Sequence, residues 1–270
     1  MNDTFSLAGQ ISVVTGARGK LGPVWIEALL EAGASVAALD RPGAAESGAY
    51  AALRARMDDR RLRAYECDIT DRPATAAVRG RIAAEMGTPT VLVNNAGIDQ
   101  PPDSGTNRAT IENLPVEEFR RMVEVNLVGT FQVTQLFGGS MAEAGKGSII
   151  NIGSLYASVS PDQRFYNHLG GELPFLKMPS YGASKAGVVN LTKFFATLWG
   201  PRGVRVNTLS PGGVLAGQDA DFTRKYTERV PLGRMAEPAD LKGPLVFLAS
   251  RASSYMTGHE LRIDGGFTVW

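Results

Sequence analysis

A doubly wound α/β fold, with about seven parallel strands and helices on both faces of the sheet, is what this chain predicts. Three observations predict it. Short apolar runs recur without polar–apolar alternation, so each reads as a strand buried on both faces. Stretches of helical periodicity separate the runs, as crossover connections between parallel strands require. A glycine-rich turn, TGARGKLG, joins the first run to the first helical stretch.

The first run, Ile11–Thr15, stops at Gly16, and the helix expected over Leu21–Ala32 follows the glycines. The second, Ser35–Leu39, is closed by Asp40 and leads to a helix over Ala45–Met57. Leu62–Glu66 ends at Cys67 and Asp68, ahead of a helix over Pro73–Met86. Thr90–Val93 runs into NNAG (residues 94–97), and a long helix is expected over Pro115–Phe137. Ser148–Ile152 delivers Ser154, and a helix over Ser180–Trp199 carries YGASK. Val204–Leu209 leads to PGG, and a helix over Pro238–Ala249 precedes the last strand, Glu260–Ile263. Ligands are expected at the carboxyl ends of these strands.

Two polar loops break the alternation. Gly97–Asn113 follows the fourth strand, and Ser158–Pro179, with Pro161, Gly170, Gly171, Pro174 and Pro179, follows the fifth. Long structureless loops in a compact domain are usually functional.

The 270 residues suit one domain over residues 1–270, with an insertion at about 158–179. An apolar content of 44%, a charged content of 20% and a net charge of +1 are those of a globular protein, with no sign of nucleic-acid or membrane partners. Cys67 is the only cysteine and the two histidines, His168 and His259, stand far apart, so no disulfide and no metal site is expected. The amino end lacks a basic region followed by an apolar stretch, which makes the cytoplasm the expected compartment.

Gly16, Gly19 and Gly22 allow a tight turn in which backbone amides and a helix dipole can meet a pyrophosphate. Asp40, about 20 residues further on, can accept hydrogen bonds from a ribose 2′-hydroxyl and repel a 2′-phosphate; the plainer alternative is a turn or cap residue. Arg18 and Arg41 could instead pair with a 2′-phosphate. NAD is therefore expected and NADP less favoured. Tyr181 and Lys185 lie four residues apart, on one helix face, where an ammonium favours the phenolate and makes a general base. Alone, the pair reads as two surface residues; the glycine-rich turn upstream reverses that reading.

TGARGKLG, Asp68, NNAG, Asn126 in VNLVG, Ser154 in IGS, YGASK and PGG stand in an order that resembles the short-chain dehydrogenase/reductase family over essentially the whole chain. The resemblance implies that Gly16, Arg18, Gly19, Lys20, Leu21 and Gly22 surround the pyrophosphate, and that Asp68 and Ile69 contact adenine. It implies that Asn95, Ala96 and Gly97 line the cofactor and that Pro211, Gly212 and Val214 hold the nicotinamide carboxamide. Lys20 stands where the family places a glycine, so its side chain is expected to crowd or to bind the phosphates. PGGVLAGQ lacks the family's threonine, and one carboxamide contact is expected to be missing.

By the same resemblance Asn126, Ser154, Tyr181 and Lys185 are the catalytic set. Tyr181 takes the proton of a substrate hydroxyl, Lys185 stabilises the phenolate, and Ser154 donates to the substrate oxygen. Asn126 is expected to hold a water that links Lys185 to solvent.

Ser154 and Tyr181 stand 27 positions apart, more than in many members of the family, which places the insertion beside the reacting carbon. Its Arg164, Asn167, His168 and Lys177, mixed with aromatics, suit a sugar, sugar acid or polyol, with Arg164 as the expected anion anchor. Asp99, Gln100 and Tyr156 are further candidates to bind hydroxyls. The expected activity is NAD-dependent oxidation and reduction of a polar secondary alcohol or ketone, by a homotetramer. The alternatives are a ketoacyl-carrier-protein reductase using NADPH and a non-catalytic nucleotide sensor.

Overall fold

In the computed structural model, which describes residues 3–100, 110–169 and 175–270, seven parallel strands form one sheet. They are β1 (Ile11–Thr15), β2 (Ser35–Asp40), β3 (Leu62–Glu66), β4 (Val91–Asn94), β5 (Gly147–Ile152), β6 (Val204–Pro211) and β7 (Glu260–Ile263). Their order is β3-β2-β1-β4-β5-β6-β7. The chain therefore builds outward from β1 in one direction and from β4 in the other. The connections leave opposite faces at that point and open a crevice above the carboxyl ends of the two strands.

The helices are α1 (Gly22–Glu31), α2 (Gly48–Arg56), α3 (Arg72–Glu85), α4 (Val116–Val123), α5 (Thr130–Glu143), α6 (Pro179–Trp199), α7 (Ala220–Thr227) and α8 (Lys242–Ala249). Successive strand residues serve opposite faces. Val14, Val91, Val93 and Ile150 pack with Trp25, Ile26 and Leu29 of α1 and Leu245 and Leu248 of α8. Val13, Leu92 and Ile149 pack on the other side with Phe137 and Met141 of α5 and Phe195 and Trp199 of α6. Both faces of the inner strands are covered, which is why they read as apolar runs, whereas the edge strands β3 and β7 are only partly buried. Among the described residues no helix is long and apolar enough to cross a membrane.

The helix expected over Pro115–Phe137 departs from expectation. Between α4 and α5 the backbone widens into a π-helical stretch, Glu124–Gly129. The stretch is stabilised from outside the helix: the Asn126 side chain accepts from the Ile98 amide (2.7 Å) and donates to the Ile98 carbonyl (2.9 Å). Thr130 Oγ1 donates to the Asn126 carbonyl at 2.8 Å. Such bulges concentrate at functional sites. The second helix begins at Gly48 rather than Ala45, because the Ser47 hydroxyl accepts the Tyr50 amide and caps it. Helix α7 is an addition, started by the Asp219 carboxylate, which accepts the Phe222 amide at 2.8 Å.

Of the insertion's glycines and prolines, Gly170, Gly171 and Pro174 lie outside the described residues. The rest is not a bare loop. Phe165, Tyr166 and Phe175 pack with Phe222 and Tyr226 of α7 and with Phe267, forming a third apolar cluster above the end of the sheet.

Candidate active site

The carboxyl ends of the central strands open on a cleft of about 870 Å³. At its β1 end the chain turns through Gly16 with φ at 65°, and a Cβ there would stand 2.7 Å from the Ala96 Cα. Only glycine allows both that backbone angle and that approach. The amino end of α1, with its dipole, abuts the part of the cleft that Gly16, Gly19, Lys20 and Leu21 line. Lys20 neither strains nor closes the turn. Among the described residues no non-glycine has a positive φ, and its side chain is exposed along the cleft. Arg18 and Gly22 do not line the cleft.

Asp40 lines the cleft at the tip of β2, and its two carboxylate oxygens accept the amides of Arg18 and Arg41, each at 2.8 Å. The Arg18 guanidinium turns away, toward the Ala44 carbonyl (3.3 Å), Glu66 (3.5 Å) and Glu46 (3.7 Å). Of the two arginines offered for a 2′-phosphate, Arg41 lines the cleft and Arg18 does not. Asn95 ties the pieces together, donating to the Thr15 and Gly16 carbonyls at 3.0 Å and accepting from the Trp25 indole at 2.7 Å. Asp68, Ile69, Asn95, Ala96, Gly97, Pro211, Gly212 and Val214 all line the same cleft. Glycine turn, helix end and carboxylate fit a nicotinamide adenine dinucleotide.

Toward the other end, Tyr181 in the first turn of α6 meets Ser154, which follows β5. Lys185 Nζ lies 5.8 Å from the centre of the Tyr181 ring and donates to the Ile152 carbonyl at 2.7 Å. A methyl on Gly97 would sit 3.1 Å from Asn126 Oδ1 and 3.8 Å from Lys185 Nζ, which brings all four expected catalytic residues to one place. The Asn126 amide is occupied by Ile98 rather than turned to solvent, so the side chain anchors the loop after β4.

The expected net lowering of the Tyr181 pKa is corrected: its surroundings raise it. Burial, and then the Asp99 carboxylate, push the phenol above its ordinary value, while the Ser154 hydroxyl pulls it down. Burial pushes Lys185 down to about 8, against the opposing pull of Asp99.

The substrate-side expectations divide. Asp99 lines the cleft with Ser154 and Tyr181. Gln100 does not line it and its carbonyl accepts from Lys177, while Tyr156 stacks edge-on against Tyr181, its hydroxyl 3.3 Å from that of Tyr166. Arg164 is not at the cleft. Its side chain is 81% exposed and is held by Asp162 two residues before it, a local pair that the sequence spacing conceals. His168 Nε2 meets Asp219 at 2.8 Å, joining the insertion to the start of α7 instead of facing the cleft. Lys177, named in the sequence only as one of several donors, is buried and bonded to Asp99. Its signal was its setting, a lysine between Leu176 and Met178. Arg121 of α4 also lines the cleft and carried no sequence signal.

A family model described as enoyl-(acyl carrier protein) reductase matches residues 21–268. The chain is 36% identical to D-threitol dehydrogenase of Mycolicibacterium smegmatis, over 98% of this chain and 95% of that one. It is similar in structure to a gluconate 5-dehydrogenase from Burkholderia cenocepacia solved with NADP and tartrate, with a TM-score of 0.84 and 29% identity, covering 99% and 98% of the two chains. A short-chain dehydrogenase from Leptospira borgpetersenii with bound NAD+ gives a TM-score of 0.83 and 34% identity, covering 99% and 96%.

Proposed function

Because the chain belongs to the short-chain dehydrogenase/reductase family, we propose that it interconverts a secondary alcohol and its ketone on a polyhydroxylated small molecule. The observation that carries this reading is the convergence of Tyr181, Ser154 and Lys185 with the glycine turn and Asp40 on one cleft. A bound nicotinamide dinucleotide supplies the acceptor or donor of the hydride. Ser154 donates to the substrate oxygen and fixes it. In oxidation the hydroxyl proton passes to Tyr181 Oη as the carbon-bound hydrogen leaves as hydride, and C=O remains. The Lys185 ammonium steadies the charge that Tyr181 carries when deprotonated.

The cofactor is read as NAD, with support from Asp40 at the tip of β2 and from the acidic partners that hold Arg18 away. The working unit is read as a homotetramer, with support from apolar side chains left exposed on α6.

The test is turnover by absorbance with NAD+ or NADP+ and a panel of alditols, ketoses and aldonates. The wild type should give a higher kcat/KM with NAD+. Tyr181→Phe should lose about 10²–10⁴-fold in turnover while the Kd for NADH stays within about twofold. Retained turnover in that variant would remove Tyr181 from the mechanism, and a preference for NADP+ would show that Arg41 outweighs Asp40.

A further inference from the structure

Beside the ring of Tyr181 the fold places a second ammonium, that of Lys177, 5.3 Å from the ring centre. Its side chain is only 4% exposed, and Nζ donates to Asp99 Oδ1 (2.6 Å), Asp99 Oδ2 (2.7 Å) and the Gln100 carbonyl (2.9 Å). An ammonium has three protons. All three of Lys177 have partners, and none is left for an anionic ligand.

Asp99 is placed the other way round. Its side chain is 40% exposed and it lines the cleft with Ser154 and Tyr181. Each carboxylate oxygen gives one lone pair to Lys177 and retains another. Two fixed acceptors about the width of a carboxylate apart match the hydroxyls of a vicinal diol, and they oppose a second carboxylate.

We propose that Asp99, clamped from behind by Lys177, binds the hydroxyls next to the reacting carbon and makes this enzyme select uncharged polyols over sugar acids. The inference deepens the dehydrogenase reading and rests on it. The other basic side chains of the insertion are engaged elsewhere: Arg164 is paired with Asp162, and His168 with Asp219. Of the cations that line the cleft, Lys20 and Arg41 stand with the glycine turn and Asp40 and Lys185 serves Tyr181, which leaves Arg121 to oppose this selection.

The test compares kcat/KM, with NAD+, for threitol, xylitol and galactitol against threonate and gluconate at constant ionic strength. The wild type should favour the alditols about tenfold or more, the worth of hydrogen bonds to a charged group. Asp99→Asn should lower alditol kcat/KM about tenfold, mainly through KM, and should narrow or invert the preference, because Lys177 is then free to attract a carboxylate. The double variant Asp99→Asn/Lys177→Met, neutral at both positions, should lose the alditol advantage without gaining on aldonates. It carries the comparison if the single variant, left with an unpaired buried lysine, does not fold. Wild-type turnover of aldonates equal to or above that of alditols, abolished by Arg121→Ala, overturns the inference while the dehydrogenase reading stands. So does a substrate ratio unchanged in both Asp99 variants. Failure of every alcohol with either cofactor overturns the dehydrogenase reading and the inference with it.

Discussion

At the scale of single residues, Asp99 acts on both titrating groups of the site. Its negative charge favours the protonated form of Tyr181 and of Lys185 alike. Oxidation needs Tyr181 without its proton, so this charge holds the oxidative activity toward higher pH. Asp99→Asn removes it, and the limb on which oxidative kcat/KM rises should move to lower pH by about one unit. A pH profile taken at saturating NAD+ checks the sign, and a limb that stays in place or moves up contradicts it. The Tyr181–Lys185 pair was legible in the sequence because the spacing of one helical turn is local. The direction of the Tyr181 shift was not, because burial and a carboxylate from a distant loop decide it. The same distance hid the partnership of Lys177 with Asp99, which stand 78 positions apart.

At the scale of elements, the described part of the insertion and α7 pack as one unit. Phe165 stacks edge-on against Phe222 and Tyr226, and the His168–Asp219 contact closes the seam. Asp219 serves twice, since it also caps α7. Asp219→Ala should cost about 1 kcal/mol for the lost cap. It should also raise KM for the alcohol several-fold, with the NADH Kd unchanged. Thermal unfolding and steady-state kinetics check the two parts, and a loss of stability with KM untouched would reduce α7 to a structural element. The strands were legible because burial on both faces leaves unbroken apolar runs, as in the wholly buried β4. Helix α7 was not: its pattern is short and polar, and Phe222 and Tyr226 acquire their role only from the aromatic residues of the insertion. The π-helical stretch at Asn126 was equally hidden, since the groups that hold it open, Ile98 and Thr130, include one from another loop.

At the scale of the whole molecule, the unburied apolar surface is distributed unevenly. Helix α6 turns Val188, Phe195 and Trp199 to the sheet, yet leaves Phe194 at 56% and Leu198 at 51% exposure. These two are one helical turn apart and so share a face. Val128, in the neighbouring π-helical stretch, is also exposed. A second exposed apolar group lies at the carboxyl end, where Val269 and Trp270 project. One self-complementary patch closes a dimer about a two-fold axis, and two such patches on different faces build a tetramer of dihedral symmetry. Light scattering at micromolar concentration should therefore give a mass near four copies of the 28.8 kDa chain. Phe194→Glu with Leu198→Glu should cut the assembly to dimers held by the remaining patch, with a lower Tm. A monomeric wild type would remove the tetramer. A double variant that stays tetrameric would show that the face of α6 is not one of its interfaces, and that its exposed phenylalanine and leucine serve something other than assembly.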